Sequence, residues 1–465
     1  MISVASKIKR LVLFIGDIII LYFSLWLTLF LRFQKAVDNE TWAKHWLPFS
    51  LVFLLWIVIF FINKLYDLET ARNNFRFYAL MIKNIIWCAM IGFAFFYITT
   101  TGITPKTILV LDIIIFGTLI IAWRRFFNTI IVNKKFLEKA LIIGLSEESL
   151  NLAREINNKP QMGIKVAAIF KSKDNSTPPP DTPLSDNGEK LEFLEGEEKL
   201  EKFINDNKIR IIIIANSQEY RPEVISQLYK LLSQKITIWD FSKFAEQFTG
   251  KILINTIGQL WFLENIKEAN KRIYETQKRV ADFVLSLIML FISIPFLPII
   301  YFTIRATSEG PGFFMQQRTG KNGKKFMAVK FRTMVVEAEK NGPQWAQKND
   351  PRVTRIGRFL RKSRIDEIPQ LVNILRGEMS FIGPRPERPE FIEKLKEVIP
   401  FYETRLLVKP GLTGWAQINF PYGASEKDAW EKLQYDLYYI KNRSLVLDIS
   451  IILKTVKTVL TGGGQ

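Results

Sequence analysis

Four long apolar stretches fill the first quarter of the chain, at Leu11–Phe33, Trp46–Asn63, Ala79–Thr99 and Thr107–Trp123. Each approaches the ~20 residues that carry a helix across a bilayer. The pattern then changes. Short apolar runs at Lys139–Gly144, Ile164–Phe170, Ile209–Ala215 and Ile236–Phe241 alternate with helical stretches such as Ser146–Glu155 and Glu223–Ser233. Strands alternating with helices predict a parallel α/β sheet. Ser172–Gly188, rich in Pro, Ser and Asp, reads as a loop. A fifth apolar stretch, Phe283–Thr303, carries Ser293, Pro295 and Pro298 in its middle. Proline removes an amide donor and clashes with the preceding turn, so a kink is expected there. Beyond it, Asp350–Lys362 has the pattern of a basic amphipathic helix. Another helix is expected to open at Asp366 and Glu367, with Pro369 in its first turn, and to stop at Gly377.

Charge sharpens this division. The net charge of +19 is spread as +9 over residues 1–136, zero over 137–308 and +10 over 309–465. The mean hydropathy is +0.09 with 23% charged residues, so apolar blocks stand beside ordinary polar ones. The first apolar run is too long for a cleavable signal, and three more follow it. Ten Lys and Arg flank the bundle on one side (Lys7, Lys9, Arg10, Lys64, Arg72, Arg76, Arg124, Arg125, Lys134, Lys135) against Arg32, Lys35, Lys44 and Lys106 on the other. That asymmetry puts both ends of the bundle in the cytoplasm. A straight fifth span would then carry the basic C-terminal part outside, whereas a helix that turns back at Pro295 keeps it inside. Asp17, Lys83 and Asp112 lie within the apolar runs, where packing or snorkelling is the expected role.

Only one Cys (Cys88) and one His (His45) occur. A disulfide framework and a Cys/His metal cluster are thereby excluded. Catalysis, if present, falls to carboxylates, Lys, Arg, Ser or Tyr. The first βα turn, GLSEES, has only Gly144 of the three glycines in a dinucleotide fingerprint. Tyr274 and Lys278 have a dehydrogenase-like spacing but lack that fingerprint, so the spacing is discounted. Asp366 and Glu367 stand at an expected helix start, where the positive end of the helix favours ionised carboxylates. An ionised Asp near a phosphate can act as a nucleophile and form an acyl phosphate; Ser363-x-x-Asp366 also fits an ordinary capping pattern. Arg385, stiffened between prolines in Gly-Pro-Arg-Pro, suits bidentate phosphate contact. Lys330 and Arg332 share one face if their segment is a strand. Many of the remaining cations suit anionic lipid.

The ordered motifs KFRTM (Lys330–Met334), Asp366-Glu367, GPRPE (Gly383–Glu387), KPGLTGWAQIN (Lys409–Asn419) and DLYYIKN (Asp436–Asn442) resemble the bacterial sugar transferase family over roughly residues 270–465. The layout as a whole resembles the long form of these polyprenyl-phosphate hexose-1-phosphate transferases. The resemblance implies four domains: a four-helix transmembrane bundle at 1–136, a degenerate Rossmann-like α/β domain at 137–266, an amphipathic and re-entrant membrane helix at 267–308, and a mostly α-helical catalytic domain at 309–465. It implies transfer of a hexose-1-phosphate from a UDP-sugar to undecaprenyl phosphate at the cytoplasmic face of the inner membrane, with release of UMP, to begin exopolysaccharide or O-antigen synthesis. The route would be ping-pong through a phospho-sugar on Asp366, with Glu367 assisting. Mg2+ would bridge Asp366 and the diphosphate. Lys330, Arg332, Arg385 and Asp436 would bind substrate, and Ser293 and Pro295 would break the re-entrant helix. The lipid bilayer is an expected partner and nucleic acid is not; homo-oligomerisation and the identity of the sugar stay open. A membrane-bound nucleotide-sugar dehydratase and a non-catalytic nucleotide-sensing membrane protein are the competing readings.

Overall fold

A computed structural model describes residues 2–99, 106–132, 137–171, 191–196, 199–215, 222–231, 236–266, 271–338, 340, 342, 344, 350–420, 423 and 425–460. The Ser172–Gly188 loop lies outside them. The chain forms two compact units, Met1–Phe248 and Thr249–Gln465.

The first unit opens with α1 (Ile2–Phe33), α2 (Asn39–Ile62), α3 (Phe75–Ile98) and α4 (Lys106–Val132), four helices long and apolar enough to cross a membrane. On α1 the buried residues Leu13, Asp17, Leu21, Ser24, Leu25, Thr28 and Leu29 recur every three or four positions, while Ile15, Ile19, Phe23, Trp26 and Phe30 face outward. An apolar exterior suits lipid, so interior polar groups must find partners within the bundle. Asp17 pairs with Arg124, whose Nη1 also donates to the carbonyl of Leu65 at 2.5 Å. Ser24 donates to Asp112 at 2.8 Å, and Asn63 to Asn84 at 2.7 Å. Both acidic residues inside the runs therefore serve interhelical contacts, and Lys83 is exposed.

The α/β part follows as β1 (Glu138–Ile143), α5 (Glu147–Asn157), β2 (Ile164–Lys171), β3 (Glu192–Glu195), α6 (Leu200–Asp206), β4 (Ile211–Ile214), α7 (Pro222–Lys230), β5 (Thr237–Asp240) and α8 (Phe241–Thr249). All strands pair in parallel in the order β3-β2-β1-β4-β5. Their Ile- and Val-rich runs suit a sheet covered on both faces. The sheet domain grips the loop between α2 and α3. Arg72 donates to the carbonyl of Asn158 at 2.6 Å, and Lys159 pairs with Glu69 at 2.8 Å. The α2–α3 loop and the entry to the sheet thus lie on one side of the bundle.

The second unit contains α9 (Gln259–Asn265), α10 (Arg272–Ser293), α11 (Phe296–Thr307), β6 (Phe313–Thr319), β7 (Lys325–Phe331), α12 (Arg355–Ser363), α13 (Leu371–Arg376), β8 (Ser380–Ile382), α14 (Pro389–Val398), β9 (Gly411–Thr413), α15 (Trp415–Asn419), α16 (Glu426–Asn442) and α17 (Leu445–Leu460). Residues 249–266, grouped with the middle domain on sequence alone, pack here: Ile252 and Ile254 bury against Leu395, Leu433 and Leu437. The fifth apolar stretch is bent by 61° between α10 and α11, with Ser293 and Pro295 at the break. Pro295 has no N–H to continue the α10 ladder, and Ser293 Oγ bonds back to the carbonyl of Met289 at 2.6 Å. A broken span and a hairpin that turns back both fit this bend. Strands β6 and β7 form an antiparallel ribbon, and β8 and β9 a short parallel pair.

Candidate active site

The site is organised by a reversal in the chain after α12. Arg364 ends that helix in the left-handed region (φ 59°), and residues Ile365–Gln370 follow as a 3-10 turn before α13 begins. The α-helix expected to open at Asp366 therefore starts later, at Leu371. Ser363 is the last residue of α12, its hydroxyl turned back towards the Phe359 carbonyl at 2.9 Å, and the turn that follows is entered at Arg364 with no side-chain cap bond. Asn373 pins α13 against β7: its Nδ2 donates to the Met327 carbonyl (2.8 Å) and its Oδ1 accepts from the Val329 N–H (3.2 Å). That clamp brings the Asp366–Glu367 turn beside Lys330. Both carboxylates are nearly buried, at 8% and 5% exposure.

The adjacent carboxylates have opposite surroundings. Glu367 Oε1 accepts from Arg385 Nη2 at 2.7 Å, with Lys330 Nζ at 3.4 Å and Arg364 Nη1 at 3.6 Å. Burial alone would raise its pKa, but Arg385, Lys330 and Arg364 together hold it well below the usual carboxylate range. Asp366 Oδ1 is buried without a hydrogen-bond partner. Burial first, and the Glu367 charge second, push Asp366 up to about 6. A helix start would lower the value; here desolvation and a like charge outweigh the dipole of a 3-10 turn. Lys330, mainly through burial, is pushed down to about 8.

Three further expected residues are placed differently from one another. Arg385 lies at the rim, its side chain 37% exposed, beside a shallow recess lined by Thr319, Pro384, Glu387, Arg405 and Val408. Asp436 is buried and pairs with Arg405 at 3.0 Å; burial pushes it up to about 6 against the opposing pull of Arg405 and Lys432. Arg332 falls just beyond β7, and its Nη2 donates to the carbonyl and hydroxyl of Ser308 at 2.9 and 2.8 Å. It therefore does not share the carboxylate-facing side with Lys330. Arg405 was not singled out in the sequence. It donates to the Tyr402 hydroxyl, to Asp436 and, at 3.0 Å, to the backbone carbonyl of Arg385. A lone Arg in YETRLL carries no periodic signal, and its carboxylate partner is distant in sequence.

The glycines of the GPRPE and PGLTG motifs explain how Arg385 is aimed. The Gly383 N–H donates to the Thr413 carbonyl at 2.9 Å, and the Gly411 N–H to the Pro384 carbonyl at 2.8 Å. A Cβ on Gly383 would meet the Lys409 carbonyl at 2.3 Å, and one on Gly411 the Gly383 nitrogen at 2.1 Å. Only glycine lets these two backbones cross so closely.

Among the described residues, no three His, Cys, Asp or Glu side chains converge as a metal cage. Mg2+ bound between one carboxylate and substrate phosphates needs no such cage. The unpartnered Oδ1 of Asp366 is the donor that fits it. The arrangement as a whole offers one carboxylate without a hydrogen-bond partner on Oδ1, one fixed as an ion pair, and cations from three separate segments.

Two family models match the chain: "Bacterial sugar transferase" over residues 273–462 and "CoA-binding domain" over residues 49–238. The chain is 30% identical to a UDP-glucose:undecaprenyl-phosphate glucose-1-phosphate transferase of Xanthomonas campestris pv. campestris, over 72% of this chain and 69% of that protein. It is 51% identical to a putative undecaprenyl-phosphate N-acetylgalactosaminyl 1-phosphate transferase of Bacillus subtilis, over 29% of this chain and 74% of the relative. A UDP-N-acetylgalactosamine-undecaprenyl-phosphate N-acetylgalactosaminephosphotransferase of Aeromonas hydrophila is 40% identical over 49% of this chain, a match spanning only 53% of that protein.

Proposed function

The chain belongs to the bacterial sugar transferase family, and from that membership we propose that it transfers a hexose-1-phosphate from a UDP-sugar to undecaprenyl phosphate, releasing UMP. The observation that carries the reading is the divided carboxylate pair: Glu367 bonded to Arg385, and Asp366 with an unpartnered buried oxygen. In this reading a carboxylate oxygen of Asp366 attacks the phosphorus that bears the sugar. The bridging bond of the diphosphate breaks, and its electron pair leaves with UMP. The product is an acyl phosphate on Asp366 that still carries the sugar. An oxygen of undecaprenyl phosphate then attacks the same phosphorus and releases the carboxylate, giving a lipid-linked sugar diphosphate. Arg385 and Lys330 bind the phosphates, whose negative charge would otherwise repel the attacking group. Asp366 is the residue that would hold Mg2+, which would supply further neutralisation of the diphosphate. Glu367, tied to Arg385, orients that guanidinium.

The same reading places the second unit on the cytoplasmic face, with α10 and α11 as a re-entrant hairpin. The 61° bend and the basic flanks of the bundle support it. The parallel sheet is then a Rossmann-like domain without a dinucleotide fingerprint, and the product begins an exopolysaccharide or O-antigen repeat. The dehydratase reading has no comparable support, since Tyr274 and Lys278 are both engaged by Asp448.

The test is UMP release by the purified protein over a panel of UDP-hexoses and UDP-N-acetylhexosamines, with undecaprenyl phosphate and Mg2+. At least one sugar nucleotide should give lipid-dependent turnover and an acid-labile sugar-phosphate adduct on Asp366. No turnover with any of them, or labelling of residues 309–465 from outside intact cells, overturns the proposal.

A further inference from the structure

Tyr274 and Lys278, set aside as a redox motif, converge on a carboxylate that the transfer chemistry does not use. Asp448 on α17 is 5% exposed. Its Oδ2 accepts from Tyr274 Oη at 2.8 Å and Lys278 Nζ at 3.0 Å, and its Oδ1 accepts from Tyr439 Oη at 2.9 Å. The Tyr439 hydroxyl also lies 3.3 Å from the carbonyl of Ile382, at the end of β8. Two more side chains of α10 reach into the fold. Arg279 donates to the carbonyls of Ile374 and Leu375 at 2.6 and 2.7 Å, and Asp282 accepts from the Phe381 N–H at 3.1 Å.

These four α10 residues are spaced i, i+4, i+5 and i+8, so they form one face of the helix. Their targets are informative. Helix α13 opens directly after the turn bearing Asp366 and Glu367, and its last carbonyls have no partner within the helix. The Gly377 N–H reaches the Ile374 carbonyl at 2.9 Å, and Arg279 adds donors to both Ile374 and Leu375. Strand β8 leads into Gly383 and Arg385, and Asp282 holds its central amide. One rigid helix therefore touches the segment after the carboxylates and the segment before the phosphate-binding arginine.

We propose that the polar face of α10 is a positioning element for the transfer. Arg279 and Asp282 set the spacing between the Asp366–Glu367 turn and Arg385. Asp448, gripped by Tyr274, Lys278 and Tyr439, holds α10 in the register that makes both contacts. The inference rests on the transfer reaction proposed above. In that reading the apolar remainder of α10 is seated in lipid, so the depth of the membrane segment and the geometry of the site are carried by one element.

The test uses the full-length protein in phospholipid nanodiscs, with Arg279→Gln, Arg279→Lys and Asp448→Asn. Steady-state kinetics are paired with hydrogen exchange of residues 371–377 and 380–382. Arg279→Gln and Asp448→Asn should lower kcat at least tenfold, leave KM for the UDP-sugar within twofold, and speed exchange in 371–377. Arg279→Lys, which keeps one charged donor, should recover part of kcat. Unchanged kcat overturns the inference, as does a raised KM at constant kcat, which marks direct substrate contact. A lowered kcat with unaltered exchange also overturns it. Should the unaltered protein release no UMP from any UDP-sugar, the transfer reading fails by itself. The exchange comparison then still decides whether α10 orders α13. If Asp448→Asn does not assemble, the two Arg279 variants carry the test.

Discussion

The divided carboxylate pair makes a quantitative demand on the pH dependence of the first half-reaction. In the proposed transfer Asp366 attacks only as a carboxylate, and burial beside Glu367 pushes it up to about 6. For a single group of pKa 6, about half is ionised at pH 6 and about one-eleventh at pH 5, so UMP release should fall roughly tenfold between pH 7 and pH 5. An aspartate at its ordinary value would lose only about a tenth of its rate over that interval. Lys330, pushed down to about 8, loses its charge above that pH and closes the other side of the profile. The assay is kcat/KM for UMP release at low UDP-sugar, which reports groups of the free enzyme. Glu367→Gln removes the second cause of the Asp366 shift and leaves the lowering pull of Lys330, Arg361 and Arg364 in place. Its acid limb should therefore move downward, stopping short of the ordinary value because burial persists. A wild-type rate at pH 5 within twofold of the plateau would falsify the argument, as would an acid limb that Glu367→Gln leaves in place or moves upward.

Asp366→Asn should reduce UMP release at least a thousandfold, since the proposed nucleophile is lost; a variant retaining a tenth of the wild-type rate disproves the assignment. The same substitution should stabilise the fold. A folded-state pKa raised above the unfolded value costs stability that grows from pH 4 to 6 and persists above it. Relief in thermal-shift measurements at pH 8 should amount to about 2–3 kcal/mol, and an unchanged or lowered melting temperature contradicts that account. Asp436→Asn removes the carboxylate that holds Arg405, so kcat should fall because Arg405 also donates to the Arg385 carbonyl; full activity in a folded variant removes that link. Chelation with EDTA should abolish turnover and added Mg2+ should restore it, an expectation refuted by metal-independent UMP release.

The hydrophobic pattern made the four apolar helices, the parallel strands and the break at Pro295 legible, because each rests on local periodicity or on a missing amide. Strand β3 was not legible: Glu192–Glu195 is short and half acidic, and it is a strand because β2 lies beside it. The expected helix start at Asp366 yielded to the left-handed turn at Arg364, which no local propensity announces. The motifs marked Asp366, Glu367, Lys330 and Arg385, and the structure gathers them at Glu367. Arg332 and Asp436 came from the same motifs, yet they bond to Ser308 and Arg405 and serve as internal ties. Sequence marks which residues matter more readily than whether a side chain meets ligand or scaffold. That choice is made by long-range partners such as Arg405, which only the fold brings near.

The proposed chemistry depends on two neighbouring acids being treated unequally, and chain direction arranges this. In the 3-10 turn after Arg364, successive side chains point about a third of a turn apart. Glu367 is thereby presented to cations from β7, from the α12 terminus and from the turn after β8, while Asp366 Oδ1 meets none within bonding distance. Had both acids been paired, their pKa values would be low and neither oxygen would be available to a phosphorus atom. Had neither been paired, two buried like charges would have forced one to keep a proton at neutral pH. Holding Glu367 ionised with three cations avoids that second outcome. In the proposed reaction it also pre-assembles Arg385 and Lys330 around the position where phosphate charge would arrive, so little reorganisation would be needed on substrate binding. The unequal pair and the cation cluster are therefore one device, and replacing Arg385 with Lys should damage both at once. Lysine lacks the planar fork that can bond Glu367 and a phosphate together, so Arg385→Lys should lower kcat and raise KM. A change confined to KM would show that Arg385 binds substrate without ordering Glu367.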